Sequence, residues 1–167
     1  PGMSPETVNR EIFSIVRAIF LRPLPYANPH ELVQLTSTIA ERELNGVGFS
    51  WPRMLAVRER QQAFSQMAVS APTGFTVTGG GDPEQVQGLQ ASHEFFPLLG
   101  VQPFLGRVFL PEEERPGGEP VAVLSHGMWE RRFGASREVI GKPILLDGQP
   151  HTTIGVMPRS LSAFPMN

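Results

Sequence analysis

Some residue types are scarce or missing in this chain of 167 residues: it has no cysteine, one tyrosine, and one lysine, Lys142, among fourteen basic residues. The absence of cysteine excludes disulfide bonds and metal sites built from thiolates. Positive charge is not in excess either, because the net charge is −2 and no basic stripe with interleaved aromatic residues occurs. A nucleic-acid partner is therefore not expected.

Long hydrophobic runs are also missing. The stretch IFSIVRAIFL (12–21) has only ten residues, and a bilayer-spanning helix requires about 20. The pattern predicts a helix from about residue 6 to residue 21, ended by Pro23 and Pro25. Two hypotheses remain open for residues 1–22: a buried or interfacial amphipathic helix, and a membrane-proximal segment at the outer end of a transmembrane helix. The side chains expected to face lipid or partner helices are Ile12, Phe13, Ile15, Val16, Ile19 and Phe20.

Glycine and proline are abundant, with seventeen residues of each. This composition predicts many turns and short elements and argues against a helical bundle. Apolar residues make up 40 % of the chain, close to the usual proportion for a globular domain. At this length the chain can form a domain with its own core.

The first half of the chain predicts strands separated by turns. Residues 31–40 have the alternating pattern of a strand, 41–49 read as a polar loop, and Ser50 is placed to cap a helix over 50–62. Residues 64–79 predict one or two strands interrupted at Pro72, and 84–92 predict the returning strand. The apolar phase of that strand slips at Gly88, which predicts a bulge there.

The second half predicts short helices and a hairpin. Ser92 is placed to cap a helix that Pro97 keeps short, and residues 108–120 form an exposed acidic loop. Asp147-Gly148 stands between two β-type runs and is the strongest short signal for a hairpin. Antiparallel strands and short helices without regular βαβ alternation indicate the α+β fold class.

The segment VAVLSHGMWERRFG (121–134) has the strand, turn and helix layout of a hydrolase nucleophile elbow around Ser125. An elbow needs glycine two residues before the serine, where Val123 stands, and a triad also needs a suitable acid and base. Serine is a common N-cap residue, so Ser125 is interpreted as the cap of a helix that stacks Trp129 over Phe133 at spacing i, i+4. We expect no catalytic residue.

Signals for a metal or a cofactor are weak. The His93-Glu94 pair is similar to the start of a zincin helix, but Pro97 stands where the second histidine would be. The glycines at 79–81 are not followed by the residues of a phosphate-binding loop, and the glutamates at 112–114 are interpreted as a solvated acidic face. No ligand spacing connects the four histidines, which are His30, His93, His126 and His151. No metal site and no cofactor are expected.

Four segments of the chain together carry a resemblance to a known family: IFSIVRAIFLRPLPYANPHELVQL, FFPLLGVQPFLGRVFLPEE, VAVLSHGMWERRFG and IGKPILLDGQPHTTIGVMP. In this order and spacing they resemble the extracytoplasmic core domain of MacB-like ABC transporter permeases, most of all the orphan permeases abundant in Acidobacteria. The resemblance covers nearly the whole chain from about residue 9. It rests on the set of four, because no single segment is diagnostic.

The resemblance implies that residues 23–167 form a MacB-like periplasmic core, with the sabre lobe and part of the porter lobe, the remainder being expected beyond residue 167. It implies a position at the periplasmic face of the inner membrane, next to the transmembrane helices of the permease. An ATPase, fused or separate, would act on the cytoplasmic side and move the periplasmic domains of a homodimer. In the family the segment around Ser125 recurs as part of the architecture.

Two functions of different classes are retained. The first is a non-catalytic extracytoplasmic domain of an ABC-type permease, which transmits ATPase-driven movement and contacts substrate or a periplasmic partner protein. The alternative is a stand-alone extracytoplasmic module that binds a peptide or a lipid in an apolar groove.

Overall fold

The computed structural model of the chain describes residues 13–16, 32–39, 44–47, 51–79 and 81–163. The chain divides into two compact units, the first made of residues 1–24 and 28–61 and the second of residues 25–27 and 62–167. The first unit contains an antiparallel sheet of three strands, in the order β1 (Phe13–Val16), β2 (Gln34–Ile39) and β3 (Leu44–Val47). Helix α1 (Trp51–Arg60) follows. Strand β2 and helix α1 confirm the predictions for these segments.

Two other predictions for the first unit are wrong. The helix predicted over 6–21 is a strand at Phe13–Val16, and the loop predicted over 41–49 contains β3. A short apolar run is compatible with either helix or strand. Here the phenylalanine, isoleucine and valine of β1 have high β-propensity, and the strand pairs antiparallel with β2, from Phe13 opposite Ser37 to Val16 opposite Gln34.

The side chains expected to face lipid or partner helices lie outside the part of the chain that the structure describes. Ile12, Ile19 and Phe20 lie outside it entirely, and of Phe13, Ile15 and Val16 only the backbone is described. The residue predicted to cap helix α1, Ser50, also lies outside the described residues. Within the described residues, no helix combines the length and the apolar character needed to cross a membrane.

The second unit is built on a sheet of six strands. They are β4 (Ser70–Thr78), β5 (Glu84–Ala91), β6 (Leu105–Gly106), β7 (Val121–Leu124), β8 (Pro143–Leu146) and β9 (Gln149–Val156). The order is β5-β4-β8-β9-β6 with antiparallel neighbours, and β7 pairs parallel with β9. Helices α2 (Phe95–Leu98) and α3 (His126–Phe133) and two 3₁₀ turns, Arg137–Val139 and Arg159–Ala163, complete the unit. The predicted class of antiparallel strands with short helices is confirmed, apart from the one parallel pair.

Strands β4 and β5 form a regular hairpin, so the predicted interruption at Pro72 and the predicted bulge at Gly88 are wrong. Pro72 lies opposite Leu89, and the register runs without a shift from Ser70 to Val77. The glycine has another explanation: a Cβ at residue 88 would lie 2.9 Å from the ring of Phe75 on the neighbouring strand. The aromatic ring therefore covers the backbone of Gly88, and the strand needs no extra residue.

Ser92 does not cap α2. The N-cap residue of α2 is Glu94, whereas Ser92 is fully buried and its Oγ accepts a hydrogen bond from Val69 N at 3.0 Å. The hydroxyl satisfies a buried backbone donor, which would otherwise be costly to leave unpaired. The serine thus joins the entry of β4 to the exit of β5.

The core lies between the sheet and helix α3. Val77 and Val156 are fully buried at its centre, and Trp129 covers them from the helix. Ala122, Leu124, Val139 and Ile144 complete the buried cluster. Burying side chains of this size stabilises the fold by about 1.5–3 kcal/mol each.

Candidate functional site

Ser125 lies at the end of β7 and is the N-cap residue of α3. Its backbone is extended, with φ −68° and ψ 153°, and its Oγ accepts a hydrogen bond from Met128 N at 3.3 Å. This bond satisfies one of the N–H groups that have no partner within the first helical turn. The hydroxyl therefore has a structural role at the start of the helix.

An aromatic cluster joins α3 to the core. Trp129 is buried, and its Nε1 donates a hydrogen bond to Ser136 O at 2.8 Å. Its ring lies 5.2 Å from the ring of His126 and 5.6 Å from that of Phe104, measured between centroids. Phe133 packs against the same core. Because Phe104 is 58 % exposed, the cluster extends from the core to the surface.

The turn between β8 and β9 is formed by Asp147 and Gly148. Both have positive φ, 51° and 78°, as a type I′ turn requires. Asp147 also binds β4: its Oδ1 accepts a hydrogen bond from Thr76 N at 2.8 Å, and its own N donates to Thr76 O at 2.9 Å. Strands β4 and β8 pair at two positions only, so this double contact adds considerably to their connection.

Arg132 fastens the turn between β4 and β5 to helix α3. Its guanidinium donates to the backbone carbonyl groups of Asp82, Gly79 and Val77, at 3.0, 3.0 and 3.4 Å. A fourth contact, of 3.5 Å, leads to a carboxylate oxygen of Glu84. Only 7 % of the Arg132 side chain is exposed. Hydrogen bonds from a charged group are stronger than those between neutral groups, and the low exposure of the Arg132 side chain limits competition from solvent.

Glu113 organises the acidic loop. It forms a two-pronged ion pair with Arg107, at 2.6 and 3.1 Å, and accepts a hydrogen bond from Leu110 N at 2.8 Å. Burial raises the pKa of Glu113, but the hydrogen bonds from Arg107 and Leu110 N outweigh this effect, so the pKa lies below its usual value. The loop is therefore held by an ionised carboxylate.

His93 contacts carboxylates with both nitrogens of its ring. Nδ1 lies 2.6 Å from Oε2 of Glu114, and Nε2 lies 3.3 Å from Oε1 of Glu94. One ligand atom of each of the three side chains is within 4.8 Å of those of the other two. All three side chains are partly buried. Their chemistry suits a cation, because imidazole and carboxylate are both metal ligands.

A mostly apolar cavity of about 540 Å³ lies where β4 ends beside β8. Its lining includes Phe133 from α3, Leu145 from β8 and Lys142, whose Nζ is 3.2 Å from a carboxylate oxygen of Glu138. Cavities of this size occur in sites for small ligands. Lys142 gives the rim one positive group, which is balanced by Glu138.

Sequence reasoning missed the roles of four residues. Glu113 and Glu114 belong to the run that was interpreted as a solvated acidic face, yet both contact basic or imidazole groups and are partly buried. An available signal for Glu113 was Arg107, six residues earlier. No local signal exists for Glu114 and His93, which are 21 residues apart, or for Arg132, whose acceptors lie about fifty residues earlier.

Known proteins are similar to this chain over most of its length. The sequence matches the family model of the MacB-like periplasmic core domain over residues 12–166. The fold is similar to the extracellular domain of the noncanonic ABC-type transporter YknZ from Gram-positive bacteria, with a TM-score of 0.57 and 20 % identity, covering 66 % of this chain and 58 % of that one. It is also similar to the periplasmic region of MacB from Actinobacillus actinomycetemcomitans, with a TM-score of 0.59 and 16 % identity. This match covers 75 % of this chain and 59 % of the MacB chain.

The chain thus spans less than two thirds of the length of either solved structure. No curated protein matches the sequence.

Proposed function

Since this chain belongs to the family of MacB-like periplasmic core domains, we propose that it is the extracytoplasmic domain of an ABC-type permease and transmits ATPase-driven movement to substrate or partner proteins. The match over residues 12–166 carries this proposal. The partners are the transmembrane helices of the permease, a fused or separate ATPase, a second copy of the chain, and a periplasmic partner protein. The domain acts at the periplasmic face of the inner membrane.

The contacts within the second unit support a mechanical role. Arg132 fastens the β4–β5 turn to α3, and Asp147 fastens the β8–β9 turn to β4. Arg159 in the last 3₁₀ turn pairs with Glu130 of α3. Each contact joins elements that are distant in sequence, so a displacement applied to one element is passed to the others. A domain that transmits movement needs such resistance to internal deformation.

The domain is non-catalytic in this proposal. The Oγ of Ser125, the residue with the most enzyme-like sequence context, accepts a hydrogen bond from Met128 N as the cap of α3. A serine nucleophile must instead present its hydroxyl to a base and to the substrate. The structural task of Ser125 therefore agrees with a binding and force-transmitting domain.

Spin-label distances in the assembled permease test this proposal. The chain has no cysteine, so Gln87→Cys and Arg137→Cys, at two exposed positions of the second unit, introduce the only thiols of the domain. In the permease with its ATPase in nanodiscs, the distance between the Gln87→Cys labels of the two protomers should differ between the nucleotide-free and the ATP-vanadate states. The distance between Gln87→Cys and Arg137→Cys within one protomer should stay constant. An unchanged distance between protomers, or a large change within one, would contradict the proposal.

A stand-alone binding module is the second candidate, and the apolar cavity of about 540 Å³ favours it. If it is correct, the purified chain should bind a fluorescent fatty acid or an apolar peptide saturably. The variant Leu145→Trp, which fills the cavity, should abolish this binding. Binding that persists in the variant, or no binding at all, would exclude the cavity as a ligand site.

A further inference from the structure

His93 has a carboxylate oxygen beside each nitrogen of its ring, Glu114 at Nδ1 and Glu94 at Nε2. One ligand atom of each of the three side chains lies within 4.8 Å of those of the other two. Imidazole nitrogen and carboxylate oxygen are both ligands of transition-metal ions, and the two carboxylates attract a cation to this position.

The distances identify which nitrogen is suited to a metal. The contact between Nδ1 and Glu114 is 2.6 Å, the length of a strong hydrogen bond to an ionised carboxylate. With the proton on Nδ1, the lone pair is on Nε2, which is 3.3 Å from Oε1 of Glu94. Tetrahedral zinc with bonds of about 2.0–2.1 Å separates its ligand atoms by about 3.3–3.4 Å. The pair of Nε2 and Oε1 has this separation already.

Glu114 then has the role of an orienting carboxylate. Histidines that bind metals usually donate their other N–H to a carboxylate or carbonyl group, which fixes the tautomer and makes the ring a stronger ligand. We propose that His93 and Glu94 bind a divalent transition-metal ion such as Zn²⁺ through Nε2 and Oε1, with Glu114 orienting the ring. Water completes the coordination. Both ligands lie in the segment between β5 and α2, and the contact of His93 Nδ1 with Glu114 connects this segment to the acidic loop.

Isothermal titration calorimetry of the EDTA-treated chain with ZnCl₂ tests the site. We expect one saturable site with a stoichiometry of one zinc ion per chain. His93→Gln should abolish the binding, and Glu94→Gln should weaken it. Glu114→Gln should weaken it by roughly tenfold or more, as loss of an orienting carboxylate does.

The control variant is His151→Gln. His151 lies on the β8–β9 hairpin, where its Nδ1 is 3.1 Å from the carbonyl oxygen of Gln149, and the variant should bind zinc as tightly as the original chain. CaCl₂ and MgCl₂ provide a second control, because these ions prefer sites with oxygen ligands only. Zinc binding that survives His93→Gln would overturn the proposal. So would calcium binding of equal strength, or the absence of zinc binding at 1 mM.

Discussion

Replacement of Arg132 by methionine should destabilise the second unit more than any other single change at the surface of α3. Methionine keeps the apolar stem and removes the guanidinium, which donates to three backbone carbonyl groups; the whole Arg132 side chain is only 7 % exposed. Hydrogen bonds to a charged group contribute about 1.5–3 kcal/mol each. Burial of the cation offsets several kcal/mol of that sum. We therefore expect a loss of about 2–4 kcal/mol.

The neighbouring residue Arg131 provides a matched control. Its guanidinium pairs with the same carboxylate, Glu84, at 2.5 Å, but the side chain is 57 % exposed. Exposed ion pairs contribute about 0–1 kcal/mol, so Arg131→Met should lie in that range. The two variants lose the same charge at adjacent positions of one helix. A difference between them therefore measures the contacts of Arg132 with the β4–β5 turn.

Urea denaturation followed by tryptophan fluorescence is the assay. The chain has two tryptophans, and in a Trp51→Phe background the remaining Trp129 reports on the core of the second unit. Arg132→Met should lower the midpoint without changing the slope m, and it should lower the melting temperature by about 10–20 °C. A loss for Arg132→Met within 0.5 kcal/mol of that for Arg131→Met would refute the assigned role of the buried guanidinium.

Three further predictions concern local features of the second unit. Gly148→Val should cost about 1–3 kcal/mol because a β-branched residue resists positive φ. The control variant Gly127→Ala, in open space within α3, should be neutral or stabilising. Equal melting temperatures of the two variants would contradict this prediction. Ser125→Ala should cost about 1 kcal/mol in urea denaturation through the lost cap, and a hydrolytic activity that disappears with it would contradict the structural role. Glu113 has a lowered pKa in the folded chain, so its ion pair with Arg107 stabilises the fold at pH values above the pKa of the unfolded state. This stabilisation is lost as the pH falls through the lower pKa of the folded state. The difference in unfolding free energy between the original chain and Glu113→Gln should therefore shrink as the pH falls below about 4.5, and a difference independent of pH would argue against the pair.

The features predicted correctly from the sequence depend on neighbouring residues. A type I′ turn is specified by Asp147-Gly148 and the alternating runs beside it, so the hairpin could be recognised within ten residues. The start of α3 depends on Ser125 and the three residues after it. Strand β2 and helix α1 have clear periodicity. In each case the residues that determine the conformation are adjacent in the chain.

The incorrect predictions depend on distant partners. Phe13–Val16 has a composition that fits a buried helix or a strand, and pairing with β2 selects the strand. The slip of apolar phase at Gly88 was interpreted as a bulge because the ring of Phe75, thirteen residues earlier, could not be placed over it. The same limit applies to His93, whose contact with Glu114 arises only when the acidic loop folds back to the end of β5. Long-range pairing is not contained in local pattern or propensity.

Strand β4 illustrates how side chains replace missing strand pairing in this fold. Its pairing with β8 is limited to Val77 and Thr78. At the start of this short contact, Thr76 exchanges two hydrogen bonds with Asp147, and at its end the carbonyl groups of Val77 and Gly79 accept hydrogen bonds from Arg132. The turn of one hairpin and the helix thus hold the end of β4 from two directions. A sheet joined in this way resists separation of its two hairpins, because movement of either must break contacts to the backbone of the other or to α3. The proposed role, transmission of movement through the domain, requires such resistance.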